Sequence, residues 1–185
     1  MLAVAKNPGH PGGGEWDRYR GKSGIDLLRE YRRFQEHSIR EVQDGRGGRF
    51  KRNLFEYLSS LLEVEVRDIY GCAAYTNLVK CSSYRETGSM EVSTKETCYE
   101  TYLKDEIRLF APKVLLALGH EVENFLHDHE WKWPMPPIIY IRHPSVYYPK
   151  DEKEEILADI KGRVQRAMEL GDVWARERGL SSGRT

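Results

Sequence analysis

The sequence holds few cysteines, no long apolar run and no excess charge of either sign, and each shortage removes a class of protein. Three cysteines in 185 residues, an odd number without an export signal, exclude the disulfide framework of small secreted domains. No apolar stretch approaches the roughly 20 residues of a membrane span, and the N-terminus lacks the basic-then-apolar pattern of a secretory signal. Lysine plus arginine equal aspartate plus glutamate at 29 each, so no global field draws the chain to nucleic acid or membrane. Any such partner must be met by a local patch. These absences lead to the expectation of a cytoplasmic protein with no membrane partner. A hydrophobic content of 39% over this length suits one domain with a real core.

What is present is four short apolar runs, Leu2 to Ala5, Ala73 to Val79, Val114 to Leu118 and Ile138 to Ile141. Their residues are apolar on consecutive positions, which predicts strands covered on both faces, as in parallel sheets. Amphipathic segments lie between them. Ser23 with Asp26 resembles a capping box, followed by Leu27, Leu28, Tyr31 and Phe34 at helical spacing. A break at Gly45, Gly47 and Gly48 precedes a second helix near Asn53 to Leu62. Ser93 with Glu96 predicts the cap of a third, whose stripe is Tyr99, Tyr102, Leu103, Ile107 and Phe110, ended by Pro112. A short helix near Glu121 to Leu126 and a long charged one near Glu152 to Leu170 complete the set, with a frayed tail from Arg176 to Thr185. This alternation predicts a three-layer α/β/α domain over residues 1–170, around a central, mostly parallel four-stranded sheet. Residues 171–185 are then the helix end and tail. In such sheets ligands bind beyond the carboxyl ends of the strands, and there the polar, conformationally special residues collect: "KNPGHPGGG", Asn77, "GH" and "RHPS".

Five of these stretches carry a resemblance to the uracil-DNA glycosylase superfamily, especially its iron–sulfur-containing bacterial and archaeal branch. They are "AKNPG", "RYRGKSG", "YTNLVKC", "PKVLLALGH" and "HPSVYY". They occur in the family's order, and the resemblance covers most of residues 2–168. It implies that Asn7 and Pro8 hold the attacking water. It also puts Gly9 where the strictly uracil-specific branch has a tyrosine that blocks the thymine methyl, so the pocket is more permissive. Tyr19 matches the ring that stacks on the flipped base, Asn77 the asparagine that reads uracil, and His143 the catalytic histidine.

The chemistry implied is hydrolysis of the N-glycosidic bond of uracil, or a related deaminated base, in DNA. The nucleotide must leave the stack to be reached. An oxocarbenium-like sugar needs a positioned water more than a base, so the side-chain oxygen of Asn7 suffices. His143 donates to the uracil O2 as charge develops there. Asn77 offers a donor for O4 and an acceptor for N3–H, a pattern that cytosine reverses. Val146, Tyr147 and Tyr148 are placed to fill the hole in the duplex, with Tyr147 aligning best with the family's wedge. Arg18, Arg20, Lys22, Lys80, Arg142 and Ser145 are the candidate DNA contacts.

Two departures accompany the resemblance. Lys6 stands where the branch has glutamate. Cys81 and Cys98 match its last two cluster ligands, but its first two lie upstream of the first strand, unless the start lies further upstream. A cluster normally takes four cysteines, so the expectation is no cofactor and two leftover or packed thiols. The alternative is an iron–sulfur cluster on Cys81 and Cys98, completed by Cys72 or His10. His127, Asp128 and His129 read as exposed loop rather than a metal site, and His120 as a helix start. The resulting expectation is a monofunctional glycosylase, monomeric, with DNA as partner. Its rival is a catalytically lapsed module that binds DNA or a protein through the same cleft.

Overall fold

A computed structural model describes residues 1–6, 21–80, 90–130, 135–146 and 148–177. Strands β1 (Leu2–Ala5), β2 (Ala74–Asn77), β3 (Leu115–Leu118) and β4 (Ile138–Ile141) form one sheet in the order β2-β1-β3-β4. Every pairing is parallel, with Ala5 opposite Asn77 and Leu118 opposite Ile141. The helices are α1 (Gly24–Gln43), α2 (Arg49–Leu62), the one-turn α3 (Ile69–Cys72), α4 (Val92–Cys98), α5 (Lys104–Phe110), α6 (His120–His129) and α7 (Lys150–Glu177). A π-helical turn, Tyr99–Leu103, joins α4 to α5.

Alternation along each strand builds two cores. Ala3, Ala5, Leu116, Leu118, Ile139 and Ile141 face α2 and α7, with Leu54, Leu58, Leu61, Ile160 and Val164. Leu2, Val4, Leu115 and Ala117 face the opposite layer, with Leu103, Ile107, Val122 and Leu126. The result is a three-layer α/β/α fold. No helix among the described residues is long and apolar enough to cross a membrane.

Several local expectations are corrected. Only the inner strands β1 and β3 are buried throughout; β2 and β4 lie at the edges and keep partly open faces. Ser23 does occupy the N-cap of α1, but its side chain makes no capping bond there; only its carbonyl accepts from the Asp26 N–H. Helix α2 begins four residues before Asn53, immediately after the glycine break. Helix α4 starts at Val92 with Glu91 at the N-cap, so Ser93 lies inside it and its carbonyl accepts from the Thr97 hydroxyl. The π turn adds a residue to the helical path, and this swings Tyr102 and Phe110 out to solvent while Tyr99, Leu103 and Ile107 stay buried. Helix α7 runs to Glu177, past the expected start of the tail.

Candidate functional site

All four strands point their carboxyl ends to one edge. Because β1 sits between β2 and β3, the chain reverses its order of winding there, and the crevice between β1 and β3 is the topological switch point. Lys6 follows β1, and Glu121 lies in the first turn of α6 after β3. Their side chains meet at 2.9 Å across that crevice. Glu121 also accepts from the Met90 N–H at 3.1 Å and from Lys95 Nζ at 3.3 Å. Burial would push its carboxyl up, but these three donors outweigh burial and hold it below the usual carboxylate range.

Asn77 closes β2. The next two N–H groups, of Leu78 and Val79, bond back to the carbonyls of Ala5 and Lys6, so the chain is anchored directly after the asparagine. Its Oδ1 accepts the Tyr75 hydroxyl at 2.8 Å. This orients the amide, leaving Nδ2 as donor and a second lone pair on Oδ1.

His143 follows β4 and is half-buried. Gly119 follows β3 beside it: at φ +102° this residue is in a conformation that side chains rarely adopt, which is the reason for a glycine there, and a Cβ would only touch the Cβ of His143 at an ordinary 3.7 Å. The chain turns directly after the histidine, with the Val146 N–H bonding the His143 carbonyl at 2.8 Å. The Ser145 N–H donates to His143 Nδ1 at 3.3 Å. A neutral imidazole that accepts at Nδ1 carries its proton on Nε2. Burial, then the charge of Lys6, holds the His143 imidazole below its ordinary range, which favours that neutral form.

Phe50, in the first turn of α2, joins the two halves of the site. Its ring centroid is 5.2 Å from that of His143 and 5.6 Å from that of Tyr75, the hydroxyl partner of Asn77. Sequence reasoning missed it; the available signal was an aromatic immediately after the glycine break.

The remaining expected residues divide. Asn7, Pro8, Gly9, Arg18, Tyr19, Arg20, Cys81 and Tyr147 lie outside the described residues. Lys80 is tied to the Glu106 carboxylate at 2.5 Å and to the Thr76 hydroxyl at 2.6 Å, where it closes the β2 edge against α5. Lys22 pairs with Glu30. Arg142 is exposed, and its guanidinium lies over the Tyr148 ring at 5.0 Å. Ser145 and Val146 are exposed beside His143. Tyr148 is corrected: it is a core residue, edge-on to Tyr57, and its hydroxyl accepts the Arg142 N–H at 3.2 Å, so its ring does not reach a duplex.

His129 is corrected as well. It is the last residue of α6 and only 2% exposed, stacked on Phe125, with Nδ1 2.7 Å from the Phe125 carbonyl and Nε2 2.9 Å from Glu96. His120 does begin α6, and its ring stacks on Tyr140 at 4.1 Å. Cys98 is a free thiol packed in the core, and Cys72 is free and exposed. Among the described residues no group of three histidine, cysteine or acidic side chains is arranged to hold a metal ion, and Cys81 and His10, two of the residues weighed for a cluster, lie outside them. No protein-family model and no curated protein matches the chain.

Proposed function

We propose that the protein is a monofunctional DNA glycosylase that hydrolyses the bond between deoxyribose and uracil, or a related deaminated base. One observation carries the reading: Asn77 and His143, from opposite edges of the sheet, both connect to Phe50 at the carboxyl edge, with His143 Nδ1 engaged by a backbone N–H. A flipped uracil needs an amide to read its edge and a neutral donor for its O2. The Nε2–H of His143 supplies the second where negative charge develops, and a fixed donor in a dehydrated site is worth about 10²–10³ in rate. Asn77 contributes Nδ2–H toward O4 and its remaining lone pair toward N3–H. Asn7, the residue after Lys6, is assigned the water, and Tyr19 the stacking face. Gly9 leaves room for bases other than uracil. Phosphate contacts fall to Arg18, Arg20 and Arg142, because Lys22 and Lys80 already hold carboxylates. The protein acts as a cytoplasmic monomer and uses no cofactor.

The test is cleavage of a labelled single-uracil oligonucleotide, single- and double-stranded, with alkali to break abasic sites. Scission that drops about 10²-fold or more in His143→Ala is expected. Scission that persists unchanged in that variant, or none from wild type at stoichiometric protein, overturns the reading.

Lys6 favours a second reading. It sets a positive charge beside the crevice where a glycosyl cation would form, which suits a module that binds DNA without turnover. Such a module retains affinity in His143→Ala and loses it in Arg18→Ala and Arg20→Ala.

A further inference from the structure

The turn that carries His143 is gripped from α2. Asn53 Nδ2 donates to the Pro144 carbonyl at 2.6 Å, across 91 positions of sequence. Pro144 is buried, and the Asn53 amide meets its carbonyl in a part-buried hydrogen bond. The peptide unit it belongs to also contains the Ser145 N–H, which donates to His143 Nδ1. In a planar trans peptide the C=O and N–H point in opposite directions, so a donor holding the oxygen aims the hydrogen the other way. Asn53, the 144–145 peptide and the imidazole thus form a relay of two hydrogen bonds, each polarising the other. Three residues before Asn53, on the same helix face, Phe50 packs its ring against the imidazole at an interplanar angle of 36°.

We propose that Asn53 and Phe50 are positioning residues for His143: Asn53 orients the peptide that selects the Nε2-protonated tautomer, and Phe50 fixes the plane of the ring. Neither needs to touch substrate. Their effect on turnover rests on the glycosylase reading, whereas their effect on the imidazole does not, and the two separate in one experiment.

The full-length chain is labelled with ¹⁵N-histidine, and the ring nitrogens of His143, assigned with His143→Ala, are followed through a pH titration. Wild type is expected to hold the Nε2–H tautomer. Asn53→Ala and the near-isosteric Asn53→Asp, which cannot donate, both shift it toward a tautomer mixture. Phe50→Leu leaves the tautomer in place but moves the ring signals. In the uracil assay kcat falls about 10- to 100-fold in Asn53→Ala with KM within about twofold, and Asn53→Ala adds nothing in the His143→Ala background. Should Asn53→Ala not fold, Asn53→Asp and Phe50→Leu decide. Ring-nitrogen signals like wild type in either folded Asn53 variant overturn the proposal, whatever the activity. A tautomer shift in a protein that cleaves no uracil upholds it and sinks the glycosylase reading alone.

Discussion

At the scale of single residues, His143 can accept the Ser145 N–H at Nδ1 only while it stays neutral, and two neighbours favour that form. Burial disfavours the imidazolium, and the nearby ammonium of Lys6 disfavours it further. Lys6→Gln removes the second cause and leaves the first. The His143 titration, followed by NMR, is therefore expected to move upward, toward but not as far as the ordinary histidine range. Glu121 loses the positive charge of Lys6 in the same variant, so its carboxyl titration rises as well. The acid limb of any pH–rate profile follows His143 upward. A His143 titration unchanged in Lys6→Gln would mean that burial alone sets the imidazole. The result also bears on the departure at position 6: a lysine pinned by Glu121 helps to keep His143 a neutral donor.

At the scale of elements, α7 closes one face of the sheet by a contact too close for any side chain. A Cβ at Gly171 would fall on the carbonyl oxygen of Lys113, the residue that leads into β3. Gly171→Ala must push helix and backbone apart, at a cost of about 1–3 kcal/mol or more, a drop in Tm of roughly 2–4 °C per kcal/mol for a chain of this size. Gly162→Ala is the control: a Cβ there meets only the far end of Arg166, so its Tm should stay at or above that of wild type. None of this close packing is legible in the sequence, where Gly162 merely interrupts a charged helix and Gly171 follows its expected end. What was legible is what local pattern encodes. Four apolar runs announced four strands, and the segments that end them place Asn77 and His143 at the carboxyl edge of the sheet. The pattern could not separate inner strands from edges, because Leu78 and Val79 are buried by hydrogen-bonding along β1 after β2 has ended. Tyr148 looked like a wedge because it is near His143 in sequence, but Tyr57, about 90 positions away, buries it. His129 looked polar until Glu96 and Phe125 were brought around it, and Phe50 joined the site only through the placement of α2. Each of these three side chains is placed by a long-range contact that no local window contains.

At the scale of the whole molecule, the shifted groups shape the dependence of stability on pH. His143 is held low, so the folded state binds fewer protons than the unfolded chain between its folded pKa and the ordinary histidine value. Stability therefore falls as pH drops through that window. Glu121, also held low, adds a further loss as pH falls from its unfolded value through its folded one. On the alkaline side the sign reverses. Burial, reinforced by Tyr148 and by Glu100 respectively, pushes the Tyr57 and Tyr99 hydroxyls up to about 12. The folded state then keeps protons that the unfolded chain releases, and stability falls as pH rises from the ordinary tyrosine value toward 12. Tm is thus expected to form a plateau from about neutral to about pH 10, with a fall on either side. Tyr99 offers the sharper test, because its buried hydroxyl has no hydrogen-bond partner among the described residues. Replacing an unsatisfied buried hydroxyl with hydrogen removes a desolvation cost of about 1–3 kcal/mol and leaves the ring contacts with Phe125 and His129 in place. Tyr99→Phe is expected to raise Tm at neutral pH and to soften the alkaline fall, leaving the acid limb, set by His143 and Glu121, where it was. A lowered Tm at neutral pH would mean that the hydroxyl has a partner that stabilises the fold, and that the layer of α4 and α6 is held by a polar contact as well as by packing.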